Sequence, residues 1–265
     1  MFQGQWKKLF IAVVVLLISS LALGINSWYQ LSLLKNMAIQ QEQIINRYAD
    51  LRSQISVRAG VSQSAYSFIT PDDPTISAKV QEITKGYPEK ALWREYGQIF
   101  RWIALNIQYS SDSPLPLLPE TVQETLEWER DFWRLPTETL EDKAGDCEDV
   151  SLLLTSMLLN FNQRKYPVWI VGVRNYETEP KAHIAVLIPN AGDQVTILDI
   201  TGHYFTSFDD HGGIGTQNVT RGLNHWFDHL SKKIPNAQVY VAFSEDFYRE
   251  FSGNQDFIDW ITQIF

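Results

Sequence analysis

The chain has 265 residues, of which 45% are hydrophobic, 13% aromatic and 20% charged. This composition excludes a disordered chain, and the length suffices for one large domain or two small ones. The single cysteine, Cys147, excludes an intramolecular disulfide and any metal site built from several cysteines, so its thiol is either a passive core group or a reactive one.

The negative charge of the chain is unevenly distributed. All 31 acidic residues but only 19 of the 22 basic residues lie beyond residue 35, so this part carries a net charge of −12, against −9 for the whole chain. A protein that binds phosphate backbones needs a basic surface. We therefore expect no nucleic acid among its partners.

The first element in chain order is an uncharged apolar run at residues 9–25. Extended to the Trp28–Tyr29 pair, it reaches about 30 Å as a helix, which is the hydrocarbon thickness of a bilayer. Aromatic residues at its far end suit the membrane interface. The run predicts a membrane-spanning segment at residues 9–29, within a signal anchor at residues 1–30, although a buried core helix has the same composition.

Two further features bear on the fate and orientation of this segment. Ala22-Leu23-Gly24 resembles a signal-peptide cleavage site, so a removed signal peptide is the alternative to a retained anchor. The Lys7–Lys8 pair before the apolar run favours a cytoplasmic N-terminus. We therefore expect a single-pass protein of the cell membrane, with its remaining chain on the extracytoplasmic side.

A helical stalk is predicted at residues 31–58. Apolar residues recur there at spacings of three and four, which is typical of one helix face. This face could mediate self-association through residues 34–55, or it could pack against the rest of the chain. Gly60 and the Pro71–Pro74 turn then end the pattern, and a domain is predicted at residues 60–265.

The domain begins with helical patterns and continues with strand patterns. Residues 91–107 predict an amphipathic helix, and residues 147–161 form an apolar helix after a proline-rich loop. Beyond Pro167, short β-rich runs are bounded by turn residues. These runs cover residues 168–174, 183–189, 194–200 and 238–243, with helices near 219–233 and 254–264. The order predicts an α+β fold with an antiparallel sheet.

Three residues could form a thiol-based catalytic site. Cys147 begins a predicted helix, where free backbone N–H groups favour a thiolate, although neighbouring acidic residues oppose it. His183 begins a strand 36 residues later, and Asp199 ends the next strand. If these two strands form a hairpin, the carboxylate can orient the imidazole beside the thiol. The set supplies a nucleophile, a base and an orienting group.

At these residues the sequence resembles the transglutaminase-like superfamily, circularly permuted relatives of papain-type cysteine proteases. The resemblance covers about residues 90–202, and its motifs are specific in combination. They are RWIALNIQY at 101–109, PTETL at 136–140, GDCEDVSLLLTSMLL at 145–159, AHIAVLIP at 182–189 and TILDITG at 196–202.

The resemblance implies roles for these residues. Cys147 would be the nucleophile, His183 the general base and then acid, and Asp199 the orienting carboxylate. The backbone N–H of Cys147 would hold the oxyanion together with a second donor, for which Tyr109, Trp102 and Trp133 are candidates.

The function expected from this resemblance is a cysteine hydrolase that forms a thioester acyl-enzyme, with a protein or peptide as substrate and peptidase activity favoured. The same site would permit transfer to a lysine amine, as in transglutaminases. A non-catalytic binding module with the same fold is the second alternative.

The acidic residues beside the cysteine resemble those of bacterial transglutaminase-like cysteine proteases, in which such residues can bind calcium. The candidate ligands here are Asp146, Glu148 and Asp149. Alternatively, Asp146 caps the helix while Glu148 and Asp149 stabilise its first turn. No other cofactor is expected.

Overall fold

A computed structural model of the chain describes residues 2–60, 63–86, 92–121, 123–176, 181–207 and 213–264. Contacts divide the chain into two compact units, Met1–Ile55 and Ser56–Phe265. The α-helices of the described residues are α1 (Phe2–Ser56), α2 (Pro74–Thr84), α3 (Leu92–Asn106), α4 (Pro136–Asp142), α5 (Cys147–Asn162), α6 (Val219–Leu230) and α7 (Asn254–Ile264), and a 3-10 helix covers Gln63–Phe68.

The strands of the described residues are short, apart from the central ones. They are β1 (Gln108–Tyr109), β2 (Leu115–Leu117), β3 (Glu127–Glu129), β4 (Ala144–Gly145), β5 (Trp169–Arg174), β6 (Ala182–Asn190), β7 (Gln194–Asp199), β8 (Tyr204–Phe205), β9 (Gln217–Asn218), β10 (Gln238–Phe243) and β11 (Tyr248–Glu250).

The first unit consists of one long helix, α1. This helix continues without a break through the predicted boundary between anchor and stalk at residue 30. It is the one helix in the described part of the chain that is long and apolar enough to cross a membrane. Its apolar side chains between Leu9 and Ile25 are largely exposed, unlike those of a buried core helix. The predicted pairing of residues 34–55 with a second copy stays a prediction.

The second unit is built around an antiparallel sheet with the strand order β11-β10-β5-β6-β7-β8, and β9 also pairs with β7. The four predicted β-rich runs coincide with β5, β6, β7 and β10, and the predicted helices coincide with α3, α5, α6 and α7. The predicted α+β fold is therefore confirmed. Its proline-rich loop also contains β2, which pairs with β3.

Both faces of the sheet are covered. Alternate residues of the central strands point to opposite faces. Ile184, Val186 and Ile188 of β6 pack on the side of α2, α3 and α5, whereas Ala185 and Leu187 pack on the side of α6 and α7. Because both faces are buried, the central strands read as nearly continuous apolar runs. This arrangement places the first turn of α5 against the beginning of β6.

Candidate active site

The predicted hairpin of β6 and β7 brings His183 and Asp199 together. Val186 pairs with Leu198 in this hairpin, so the start of β6 lies beside the end of β7. The Nε2 atom of His183 lies 2.9 Å from Oδ1 and 2.8 Å from Oδ2 of Asp199. When Nε2 donates its proton to the carboxylate, Nδ1 carries the lone pair that a general base needs.

The Asp199 carboxylate is buried and held by three neighbouring groups. Besides the imidazole, Oδ1 accepts a hydrogen bond from the backbone N–H of Gly202 at 2.7 Å, and Oδ2 accepts one from the indole N–H of Trp226 at 2.8 Å. Trp226 is itself fully buried, and a side-chain nitrogen of His229 lies 2.7 Å from the Gly202 carbonyl oxygen. These contacts fix the carboxylate, and through it the orientation of His183.

Cys147 is the first residue of α5, and its thiol is directed toward acidic neighbours. The thiol donates a hydrogen bond to Oε2 of Glu148 at 3.2 Å, while the Ile184 backbone, next to His183, also bonds the sulfur. Within the described part of the chain, the sulfur makes no hydrogen bond to the His183 ring. In enzymes without substrate such bonds are often long, and they shorten when the substrate binds.

The surroundings of Cys147 favour the protonated thiol. Burial raises its pKa well above the usual value, and the negative charges of Glu148 and Asp146 raise it further. The hydrogen bond from Ile184 lowers this pKa, but the raising effects dominate. The position at a helix N-terminus, which favours a thiolate, is therefore outweighed.

A cluster of carboxylates lies beside the first turn of α5. Oxygen atoms of Asp112, Asp146 and Asp149 lie within 4.8 Å of one another. Oδ1 of Asp146 and Oδ2 of Asp149 are buried and make no hydrogen bond within the described residues. The Arg134 side chain offers partial compensation, at 3.7 Å from Asp112 and 3.6 Å from Asp149.

The close packing of these acidic groups changes their ionisation. Burial is the largest cause for each carboxyl group, and neighbouring negative charges add to it. The pKa of Asp149 rises to about 7, and the pKa values of Asp112 and Asp146 are also raised. The pKa of Glu148 is raised well above the usual value, by burial first and then by Asp131 and Asp146.

One of the interpretations for the acidic residues needs correction, and another stays a prediction. Glu148 lies outside the cluster that Asp112 forms with Asp146 and Asp149, but its side chain bonds Asp146 as well as Cys147 and Asp131. Its role as a calcium ligand stays a prediction. Asp146 occupies the N-cap position of α5, but its side chain makes no capping hydrogen bond. Its carboxylate belongs to the cluster instead.

The three candidates for the second oxyanion donor differ in position. Tyr109 is exposed and lines the same cleft as His183. Trp133 is buried between Phe68 and the sheet, and Trp102 packs against the core with the Lys79 ammonium over its ring. Of the three, Tyr109 is the one on the wall of the cleft.

The cleft beside His183 has a volume of about 880 Å³. Apolar residues, among them Ile107, Val150 and Ile200, form part of its wall, and Gly202 lies at the Asp199 end. A cleft of this size accommodates several residues of an extended peptide. The imidazole is therefore accessible to a substrate.

The protein has a transglutaminase-like architecture. This class is defined by the fold together with a cysteine at the start of a helix and a hydrogen-bonded pair of histidine and aspartate on the adjacent strands. A family model described as a transglutaminase-like domain matches residues 78–216, just over half of the chain. The chain belongs to this family, as its motifs predicted.

Several solved structures are similar to this chain at low sequence identity. EGTA-treated LapG of Legionella pneumophila is 14% identical with a TM-score of 0.39, over 78% of this chain and 86% of LapG. Calcium-bound LapG is 13% identical with a TM-score of 0.37, over 83% of this chain and 98% of LapG. A candidate cysteine protease from Cytophaga hutchinsonii is 14% identical with a TM-score of 0.33, over 73% of this chain and 58% of the protease chain. A search of curated proteins found no match.

Sequence reasoning missed three residues that shape the site. Trp226 and Gly202 hold the Asp199 carboxylate, and Asp112 completes the carboxylate cluster. Gly202 could have been found, since it ends the TILDITG motif. The apolar periodicity of α6 indicates that Trp226 is buried, but it does not indicate the carboxylate partner.

Proposed function

We propose that the protein is a membrane-anchored cysteine hydrolase, acting as a peptidase through Cys147, His183 and Asp199. The observation that carries this proposal is the hydrogen bond of His183 to Asp199 at the edge of an open cleft, next to the first turn of α5. The Asp199 carboxylate is held by two further donors, which suits a role in orienting the imidazole.

The reaction would proceed through two acyl-transfer steps. The Cys147 thiol passes its proton to Nδ1 of His183 as the sulfur attacks the substrate carbonyl carbon. The oxyanion is stabilised by the backbone N–H of Cys147, and the imidazolium then protonates the leaving amine as the C–N bond breaks. Water, deprotonated by His183, hydrolyses the thioester and restores the thiol.

One observation favours a second candidate, a binding module without catalysis. Burial and the neighbouring carboxylates raise the pKa of the Cys147 thiol, and its hydrogen bond is to Glu148 rather than to the imidazole. A module of this kind would keep the three residues without using them. The two candidates differ in the reactivity of the thiol, which can be measured.

The carboxylate cluster suits a hard divalent cation such as Ca²⁺. Oxygen atoms are the ligands that Ca²⁺ prefers, and the buried oxygens of Asp146 and Asp149 without hydrogen bonds are free to act as ligands. Asp112, Asp146 and Asp149 would hold the ion, which would supply positive charge beside the first turn of α5.

We also propose that α1 anchors the protein through residues 9–29, with the second unit on the extracytoplasmic side. The apolar, exposed surface of α1 and the Lys7–Lys8 pair at its start support this orientation. Protease treatment of intact cells or spheroplasts should remove the second unit, while a tag at the N-terminus stays protected. Protection of the second unit instead would reverse the orientation.

The test of the catalytic proposal uses the full-length protein in detergent micelles, with and without Ca²⁺. We expect a thiol-directed electrophilic probe to label Cys147 faster than it labels free cysteine, and His183→Ala to abolish this advantage. His225→Ala is the matched control, because His225 is exposed on α6 and lies outside the cleft.

Labelling no faster than free cysteine in both conditions, with no effect of His183→Ala, would favour the binding module. A comparison of exported proteins from cells with wild-type protein or Cys147→Ala then separates the chemistries. New chain termini would indicate hydrolysis, and lysine–glutamine cross-links would indicate transamidation.

A further inference from the structure

The cleft beside His183 carries positive charge on its rim. Lys181, Lys232 and Lys233 line it and are exposed, and no Asp or Glu is among its lining residues in the described part of the chain. The remaining wall is largely apolar. The cleft therefore presents three ammonium groups around an apolar surface.

The positive charge of this cleft is opposite in sign to the net charge of the chain. Beyond residue 35 the net charge is −12, so three lysines around one cleft, with no carboxylate among its described lining residues, do not follow from average composition. None of the described carboxylates lies within 4.0 Å of Lys181, Lys232 or Lys233. Their charges are not neutralised by ion pairs of the described residues.

The backbone fixes these lysines from two separate elements. Lys181 lies two residues before His183, and its backbone N–H donates a hydrogen bond to the Asn175 side chain at 2.7 Å. On the other side, the N–H groups of Lys233 and Ile234 both donate to the Leu230 carbonyl oxygen at 2.8 Å, forming a tight turn after α6. Cations after a helix also stabilise its C-terminus, but this effect does not account for Lys181 before β6.

We propose that this cleft binds acidic segments of polypeptide substrates, whose carboxylates contact Lys181, Lys232 and Lys233 while apolar side chains cover the wall. The proposal rests on the proposed function, because it assigns the substrate class of the same cleft. Rim charges of this kind select partners of opposite charge and accelerate their association. Such selection would restrict a peptidase with an otherwise open cleft to acidic regions of its targets.

The experiment measures peptide binding, so that it does not depend on turnover. Full-length Cys147→Ala in detergent micelles is immobilised and incubated with two dodecapeptide libraries. One library has four fixed glutamates among varied apolar residues, and the other has glutamines in the same places. We expect the glutamate peptides to be retained at least about fivefold more than their partners at low salt. The preference for glutamate peptides should fall in 0.5 M NaCl, because the screening length for exposed charges is then only about 4 Å.

The variant Lys232→Gln/Lys233→Gln should lose most of the preference. Arg221→Glu is the matched control, because it changes the net charge by the same amount on α6 but lies outside the cleft lining. Equal retention of both libraries, or a preference unchanged in the double variant, would overturn the proposal. If the preference holds but the Cys147 thiol proves unreactive, the proposed peptidase function fails and the acidic-peptide site stands.

Discussion

The two sides of the first turn of α5 differ in charge and in burial. On one side, Asp112, Asp146 and Asp149 are packed together with raised pKa values and little compensation. On the other side, His183 opens into a cleft with exposed lysines on its rim and no lining carboxylate within the described residues. Cys147 lies between these sides, bonded to Glu148 and to the Ile184 backbone.

This difference indicates that the two sides interact with ions of opposite charge. Buried carboxylates without partners are costly unless they are protonated or bind a cation. Exposed ammonium groups have no such cost and are free to meet anionic groups from solution. The two sides should therefore respond to different perturbations, and the following predictions test whether they do.

The largest effect is expected from the base on the cleft side. His183→Ala should lower kcat/KM for any cleaved peptide by at least about 10³-fold, because the proposed mechanism assigns the thiol proton to Nδ1 of His183. The free energy of unfolding should change much less, since His183 is partly exposed at the cleft edge. Peptide hydrolysis assays and thermal unfolding of the same preparations provide the measurement. A loss of less than tenfold would contradict the assigned role.

The next effect concerns the residue that orients this base. Asp199→Asn keeps the shape but turns an N–H group toward the donors of Trp226 or Gly202, leaving a buried donor without an acceptor. We expect kcat to fall about 10²- to 10⁴-fold and the free energy of unfolding to fall by about 2 kcal/mol. Asp193→Asn, on the exposed turn of the same hairpin, is the control and should change neither quantity.

The cleft side could be predicted from the sequence because its residues follow a local rule. His183 and Asp199 belong to consecutive strands, and a hairpin with alternating side chains brings their ends together without any further information. The cysteine at a helix start is equally local. For this reason the family motifs and the strand pattern both point to the same three residues.

The acidic side could not be predicted in the same way. Asp112 approaches Asp146 because β1 and β4 form a two-residue parallel pair, Gln108 with Ala144 and Tyr109 with Gly145. A strand pair of this length has no hydrophobic period and no turn signal. Sequence proximity instead suggested Glu148, whose side chain leaves the first turn of α5 in the direction of Cys147.

A third prediction concerns the acidic side alone. The pKa of Asp149 rises to about 7 in the folded protein from 3.8, so the folded state binds the proton more tightly. Stability from this group is complete below about pH 4 and is lost as the pH rises through 7. Asp149→Asn keeps the acceptor for the Arg134 backbone and should be the more stable protein at pH 8 without Ca²⁺, by about 2–4 kcal/mol.

Calcium should reverse this order. Ca²⁺ at millimolar concentration should raise the Tm of the wild-type protein and leave Asp149→Asn almost unchanged. Asp142→Asn is the control, because Asp142 also contacts Arg134 but is exposed and lies outside the cluster. Differential scanning calorimetry at pH 5 and pH 8, with Ca²⁺ or EGTA, measures both effects. An equal Ca²⁺ response in the wild type and Asp149→Asn would contradict a cation site at this cluster.

The smallest effect is expected at Gly202 on the cleft side, where the site has no room for a side chain. A Cβ atom at Gly202 would overlap the Asp199 carboxylate, so Gly202→Ala must displace either the loop or the carboxylate. We expect about 1–3 kcal/mol lower stability and roughly tenfold lower kcat, with the Ca²⁺ response intact because the acidic cluster is not touched. Gly213→Ala is the matched control, since no atom of the described residues lies within 4 Å of its added Cβ. A changed Ca²⁺ response in Gly202→Ala would mean that the two sides of α5 are coupled rather than independent.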